Sequence, residues 1–189
     1  MALSLQKGSS LSLKKADGSA LTNVRLGLGW DAAKRGFFGG GEVDLDASAV
    51  LLDANGNPAD VVYFGQLKSK DQSVRHSGDN LTGDGDGDDE QIAVNLSEVP
   101  ANIKSIVFVI TSYSGQKFSA VQNVYARVVD VSAGENEVVR YNLAESSNTT
   151  ANVIAKVSRE DSGWAFTAIG EYTNGRTAND TLGVVSRNA

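Results

Sequence analysis

The sequence has no cysteine, a single histidine and only two prolines among its 189 residues. Without cysteine, disulfide scaffolds, thiolate zinc sites, iron–sulfur clusters and cysteine nucleophiles are excluded. With His76 alone, a metal site built from several histidines is excluded too. Long apolar runs are also missing, and the longest is Ile106–Ile110. We therefore expect no membrane-spanning helix, no direct membrane insertion and no secretory signal in the opening MALSLQKG, and a cytoplasmic location.

The excess of negative charge is concentrated in one short stretch. The chain has 23 acidic and 17 basic residues, for a net charge of −6. Six of the acids lie in Asp79–Glu90, which contains no lysine or arginine and is called the acidic segment below. Without it, acidic and basic residues are equal in number. A nucleic-acid binder would present a basic surface, so we expect no nucleic-acid partner.

Apolar residues alternate with a period of two along most of the chain, which predicts strands with one buried face. The run Ile106–Ile110 is apolar throughout and predicts a central strand buried on both faces. A short helix is predicted over Thr177–Val185, packed on one end of a sheet, and a single turn over Leu96–Pro100. About ten short strands predict an all-β, two-sheet sandwich forming a single domain over residues 1–189, with one or two short helices. The predicted strands cover Leu3–Leu13, Val24–Trp30, Glu42–Leu52, Val61–Gly65, Gln91–Leu96, Ile106–Ile110, Val124–Val128, Val138–Leu143, Val153–Val157 and Trp164–Ile169.

The acidic segment has the composition of a calcium site. Its carboxylates repel one another, and its interleaved glycines raise the entropic cost of ordering the backbone. A hard divalent cation offsets both effects, and Ca²⁺ accepts six to eight oxygen ligands from carboxylates, amides and carbonyls. Mg²⁺ is the weaker candidate, because it prefers few protein ligands and keeps its waters. The alternative is a solvated, disordered acidic loop.

The acidic segment is not an EF-hand loop, although it has the right length. Counted from Asp79, the position that requires glycine is Asp84. Counted from Asp84, that position is Asp89 and the terminal glutamate is replaced by Asn95. A calcium loop of another type is therefore predicted.

Three further acids are candidates for the same site. Asp44 and Asp46 are two residues apart in a predicted strand and so share a face. Asp31 ends the predicted strand that contains Gly27–Trp30. The alternative for Asp44 and Asp46 is the solvent face of an edge strand. His76 precedes the acidic segment, and we expect a surface histidine that faces the carboxylates.

These motifs together resemble the tellurite-resistance TerD family of bacterial stress proteins, and the resemblance covers nearly the whole chain. The combination is specific, whereas the acidic segment alone is only suggestive. The resemblance implies a calcium-binding β-sandwich with a role in resistance to tellurite and related stresses. It rests on Leu3–Gly8, Gly27–Asp31, Asp44–Ser48, Gly78–Glu90 and Asn123–Asp130.

The resemblance also implies a ligand set, a cofactor and partners. The cofactor is Ca²⁺, for which we expect two ions. The partners are other proteins of the tellurite-resistance operon, including a membrane-embedded component that would hold the chain peripherally at the inner membrane. The implied metal ligands are Asp31, Asp44, Asp46, Asp79, Asn80, Asp84, Asp86, Asp88, Asp89 and Glu90.

The enzyme interpretation lacks a recognisable set of catalytic groups. His76 has no identifiable orienting acid or oxyanion site, and reduction of tellurite would require thiols or a redox cofactor. We expect a non-enzymatic calcium-binding module of the stress response, acting through metal-dependent stability and protein association. The alternative is a metal-dependent hydrolase that uses the ions of the acidic segment to activate water.

Overall fold

The computed structural model describes residues 2–32, 44–78, 87–132 and 134–189, and within these ranges the chain forms twelve strands and one α-helix. The strands are β1 (Leu3–Leu5), β2 (Ser10–Ser12), β3 (Asn23–Ala32), β4 (Asp46–Asp53), β5 (Pro58–Val62), β6 (Val74–His76), β7 (Glu90–Asn95), β8 (Ile103–Thr111), β9 (Val121–Asp130), β10 (Asn136–Asn142), β11 (Ala151–Glu160) and β12 (Gly163–Thr173). The helix is α1 (Leu182–Arg187).

The strands form two six-stranded sheets that pack face to face, which confirms the predicted sandwich. The first sheet has the order β1-β10-β9-β3-β7-β6 and the second has the order β2-β12-β11-β8-β4-β5. All neighbours are antiparallel except β1 and β10, which run parallel. Side chains of both sheets meet in one buried core. Because side chains alternate along a strand, the residues between these core positions face outward.

The central strand β8 confirms the prediction from its apolar run. It lies between β11 and β4, and Ile106–Ile110 is completely buried. Ile106, Phe108 and Ile110 belong to the core between the sheets. Val107 and Val109 belong to a second cluster on the other face of the same sheet. Two covered faces explain why this strand shows no polar alternation.

The second cluster is covered by the C-terminal residues. A 3₁₀ turn over Ala178–Thr181 leads into α1, and it begins with a capping box between Thr177 and Asp180. Val185 of α1 is buried among side chains of β4, β8 and β11. The predicted helix is therefore present, but it covers a face of the second sheet rather than its end. None of the described helical segments is long and apolar enough to cross a membrane.

Three predicted strands differ from the structure in their bounds, and one observed strand was not predicted. Leu3–Leu13 forms two strands in different sheets, because the chain turns at Gly8, whose φ of +82° suits glycine. The strand predicted over Val61–Gly65 already ends at Val62, where Tyr63 begins a tight turn. The three residues of β6 carry too little apolar alternation to be recognised from sequence. The predicted Glu42–Leu52 strand begins at Asp46, and residues 42–43 lie outside the described ranges.

The packing of α1 predicts that two substitutions in this helix change the free energy of unfolding in opposite directions. Val185→Ala removes buried carbon atoms and should lower the free energy of unfolding by about 2 kcal/mol. Gly183→Ala, in the same helix, places its Cβ in open space and should raise it by up to about 1 kcal/mol through helix propensity. Urea denaturation of the two variants and the parent measures both changes. Equal effects of the two substitutions would show that α1 is not packed as described.

Candidate metal-binding site

The acidic segment ends in three consecutive acids, Asp88, Asp89 and Glu90, and each is held by a different part of the sandwich. Asp88 is bound on the outer face of the first sheet, Asp89 at the end of β3, and Glu90 between β4 and β6. Adjacent carboxylates repel one another, so each needs its own donors to enter a folded structure. The three anchors fix residues 88–90 against both sheets.

Asp88 is held by Arg127 of β9. The Nε atom of Arg127 donates to Oδ1 of Asp88 at 2.7 Å, and its Nη2 atom donates to Oδ2 at 3.0 Å. The hydroxyl of Tyr125 donates to Oδ1 at 3.0 Å and to the carbonyl of Gly87 at 2.7 Å. The Asp88 side chain is 0% exposed. These bonds raise the pKa of Arg127, and burial together with the Asp88 charge raises the pKa of Tyr125 to about 12.

Two glycines of β3 make room for this arrangement. Leu26, Leu28 and Trp30 are buried in the core, so Gly27 and Gly29 face outward beneath Asp88 and Tyr125. A Cβ atom on Gly27 would overlap the Asp88 carboxylate, and one on Gly29 would overlap the Tyr125 ring. Glycine inside a strand commonly marks such a close approach. The Gly-Leu-Gly-Trp motif therefore lets the end of the acidic segment lie against the sheet.

Asp89 lies beside Asp31 at the end of β3. Its Oδ2 atom accepts a bond from the backbone N–H of Trp30 at 2.7 Å, and its own N–H donates to the carbonyl of Leu28 at 2.9 Å. Burial raises the pKa of Asp89, and the nearby charges of Asp31, Glu90 and Asp88 raise it further against the lowering effect of the Trp30 bond. This repulsion is the electrostatic condition that a bound cation would relieve.

Asp31 has one described partner on the neighbouring strand. Its Oδ2 atom accepts a bond from the side-chain amide of Asn123 at 2.7 Å. Asn123 lies where the pairing of β3 and β9 shifts register, and it has a φ of +52°, a conformation that asparagine tolerates. The irregularity brings the Asn123 amide to Asp31.

Glu90 is bound inside the sandwich to His76. The Oε2 atom of Glu90 accepts a bond from the N–H of Ala47 at 2.6 Å and lies 3.1 Å from Nε2 of His76. Nδ1 of His76 accepts a bond from the N–H of Gly78, which assigns the ring proton to Nε2 and makes the imidazole neutral. The prediction of a surface histidine is wrong, because both side chains are 0% exposed. His76 does face a carboxylate, as expected.

Asp44 and Asp46 lie at the start of β4. Asp46 is 6% exposed and β4 lies between β8 and β5, so the alternative of a solvated edge strand is wrong. Asp46 lines a small cavity together with Arg176 and Thr111, whereas Asp31 lines another cleft. Asp31 and Asp46 thus line two different cavities.

Four of the implied ligands, Asp79, Asn80, Asp84 and Asp86, lie outside the described residues. Among residues 2–32, 44–78, 87–132 and 134–189, no group of three or more histidine, aspartate or glutamate side chains has the arrangement needed to hold a metal. A coordination sphere at this site would therefore include ligands from outside the described residues. The described acids would supply part of it.

A cleft with a volume of about 750 Å³ opens beside this site. Asp31 and Gly87 lie on its wall, together with Tyr125 and Arg140. The guanidinium of Arg140 stacks 4.1 Å above the centre of the Tyr125 ring and donates two hydrogen bonds to Glu137. The volume is within the range of small-molecule sites.

Sequence reasoning missed the residues that hold the acidic segment, above all Arg127 and Tyr125. Both are in the Asn123–Asp130 motif, where they alternate with the core residues Val124, Ala126 and Val128. This alternation marked them as outward-facing. Their contact with Asp88 joins residues more than thirty positions apart, and no local pattern predicts it.

Comparison with known proteins shows which family the chain is similar to. A family model described as the TerD domain matches residues 1–179. The chain is 45% identical to the tellurium resistance protein TerZ of Serratia marcescens, with 94% of each chain covered. It is 42% identical to the stress response protein SCP2 of Bacillus subtilis (strain 168), covering 96% of this chain and 98% of that protein. These relatives are named as resistance or stress proteins, not as enzymes.

A solved structure supports the fold. A homologue of telluride resistance protein (TerD) from Streptomyces coelicolor A3(2) superposes with a TM-score of 0.69 at 20% identity, covering 86% of this chain and 96% of that chain. At this identity the likeness concerns the fold alone. The family match and the close relatives, taken with the sandwich and its acidic segment, show that the chain belongs to the TerD domain family of tellurium resistance and stress response proteins.

Proposed function

We propose that the chain is a calcium-binding, non-enzymatic module of the tellurium stress response, which acts through metal-dependent stability and association with other proteins. The observation that carries the proposal is the anchoring of Asp88–Glu90, which sets Asp89 beside Asp31. Burial is the main cause of the raised pKa of Asp89, and the negative charge of the neighbouring Asp31, Glu90 and Asp88 raises it further. A cation would compensate that charge.

The donors present fit a hard cation. Asp31, Asp89, Asp44 and Asp46 offer carboxylate oxygens, and the described part of the site contains no thiolate. Oxygen-only donor sets suit Ca²⁺ and Mg²⁺, and a carboxylate-rich set joined by flexible glycines favours the larger ion. Bound calcium would neutralise the carboxylates. Residues 79–86 of the acidic segment would supply the remaining ligands.

Two ions are supported by the separation of the acids. Asp31, with Asp89 near it, lines the large cleft at the end of β3, and Asp46, two residues after Asp44, lines the small cavity at the start of β4. Glu90 stands between them, since it bonds to Ala47 of β4 and follows Asp89 directly. We assign one ion to each pair of acids, with the acidic segment contributing to both.

Association with other products of the resistance operon, including a membrane-embedded component, is the second half of the proposal. It places the protein in the cytoplasm, with peripheral attachment to the inner membrane through that partner. Tyr63, Phe64 and Leu67 support it, because these apolar side chains are exposed beside a hydrogen-bonded turn. Exposed aromatic residues on ordered backbone are typical of protein contact surfaces.

A metal-dependent hydrolase remains the second candidate, and the cleft beside Asp31 is the observation that favours it. A substrate of suitable size would reach an ion held by Asp31. Against it, His76 is buried and engaged with Glu90, so it does not serve the cleft as a base. Calcium-dependent turnover of phosphate or carboxylate esters would support the hydrolase.

Calcium should stabilise the fold strongly. A ligand at 100 times its dissociation constant adds about 2.7 kcal/mol to the free energy of unfolding when it binds the native state alone. Thermal melts with calcium and with excess chelator should therefore differ by several degrees, and calorimetry on chelator-stripped protein gives stoichiometry and affinity. Superimposable melting curves would exclude the calcium module.

Calcium should also bind more tightly than magnesium. The carboxylate-rich donor set matches the higher coordination number of Ca²⁺, whereas Mg²⁺ gives up its waters reluctantly. Competition titration at equal concentrations of the two ions measures the preference. Equal or tighter binding of magnesium would point to a phosphate-handling site, in line with the hydrolase.

The assignment of one ion to each acid pair predicts that the affinities for the two ions can be weakened separately. Asp31→Asn and Asp46→Asn should each weaken one of two calcium-binding events by more than tenfold, which is about 1.4 kcal/mol, and leave the other within about twofold. Asp161→Asn, at an exposed turn, is the matched control. Calorimetric titration of the three variants reads out both events. Loss of both events in either variant, or of neither, would contradict the assignment.

A further inference from the structure

The anchor of Asp88 suggests a role for residues that no metal-ligand motif includes. We propose that Arg127 and Tyr125 are positioning residues of the calcium site, and that Asp88 is their anchor point instead of a ligand of the ion. The inference rests on the proposed function. It removes Asp88 from the ligand set implied by the family resemblance and assigns the outer face of β9 to the site.

Both oxygens of Asp88 are already engaged. Oδ1 accepts from Nε of Arg127 and from the Tyr125 hydroxyl, and Oδ2 accepts from Nη2 of Arg127. The side-chain amide of Gln91 is 3.4 Å from Oδ2. Bidentate bonds between arginine and a carboxylate are among the strongest in proteins. Because this side chain is also 0% exposed, an ion would have to compete with these donors for the carboxylate.

The surroundings are built for this anchor. Gly27 lies opposite Arg127 in the pairing of β3 with β9, and Gly29 lies opposite Tyr125. Both glycines leave space that a Cβ atom would fill. Arg127 is itself oriented by Glu137, which accepts a bond from its Nη1 atom at 2.9 Å. The donors that bind the Asp88 carboxylate are thus themselves held by other side chains, Arg127 by Glu137 and Tyr125 by Arg140.

The anchor adjoins the proposed ligands directly. Asp89 follows Asp88, and its backbone bond to Leu28 places it at the end of β3 beside Asp31. The Tyr125 hydroxyl also holds the carbonyl of Gly87, on the other side of Asp88. Arg127 and Tyr125 therefore set the position of the acidic segment where it reaches the site.

Electrostatics and positioning predict opposite changes in calcium affinity when Arg127 is removed. Arg127 is a cation near a cation site, so its charge alone opposes calcium binding, and its removal would raise the affinity. If Asp88 were a ligand, the removal would also release its carboxylate to the ion. In a variant that folds like the parent, a decrease in affinity therefore indicates the loss of positioning.

The test is calcium titration calorimetry on the chelator-stripped full chain. Arg127→Gln should lower the calcium affinity at least tenfold, and Asp88→Asn should lower it equally, with no further loss in the double variant. Arg127→Lys, which keeps the charge but not the bidentate geometry, should recover part of the loss. Arg25→Gln is the matched control, because Arg25 forms a similar bidentate pair with Glu135 on the same sheet face. The calcium affinity of this control should stay within twofold of that of the parent.

If Arg127→Gln fails to fold, Tyr125→Phe is the second variant that tests the inference. It removes one hydroxyl, keeps the ring over Gly29 and should lower the affinity about threefold. Unchanged or tighter calcium binding in Arg127→Gln, or in Tyr125→Phe where only that variant folds, would overturn the inference while leaving the calcium module intact. Absence of calcium binding by the parent chain would overturn the proposed function and the inference with it.

Discussion

Three adjacent carboxylates can be fixed against a β-sandwich only if each meets its own donors, and this constraint organises the site. Asp88 accepts hydrogen bonds from the guanidinium of Arg127, and Asp89 accepts one from the backbone N–H of Trp30. Glu90 accepts one from the N–H of Ala47. These donors come from β9, β3 and β4, so the end of the acidic segment joins both sheets. Burial, together with the charges of Asp31, Glu90 and Asp88, raises the pKa of Asp89, so a cation near Asp89 would be favourable.

Small residues are as important here as charged ones. Gly27 and Gly29 give the outer face of β3 the flat surface on which Asp88 and Tyr125 lie. Substitution at either glycine would force these groups away from the sheet, although neither glycine bears a functional atom. The same strand presents Leu28 and Trp30 to the core. A single short motif thus combines core packing with access for the acidic segment.

The sequence was most informative where local composition decides the structure. The apolar run of β8 and the alternation along β3 and β9 predicted buried and half-buried strands, and the structure confirms both. His76 was misjudged because its burial depends on Glu90 and Ala47, which reach it through the fold.

The site was predicted less completely than the fold. The acids were recognisable as candidates, since their residue types and spacing are local features. Their anchors were not, because Arg127 and Tyr125 meet Asp88 only after β9 has paired with β3. Glycine at positions 27 and 29 was the one local sign of a close approach, and it does not say which residue approaches.

The end of the acidic segment is bonded to donors of the sandwich, so we expect it to be ordered before any ion binds. Amide hydrogen exchange of the chelator-stripped protein tests it most directly at the N–H groups of Trp30, Ala47 and Asp89, which are bonded to Asp89, Glu90 and Leu28. We expect these three amides to be protected from exchange without calcium nearly as well as with it. Exchange at the rate of an unfolded chain until calcium is added would contradict it.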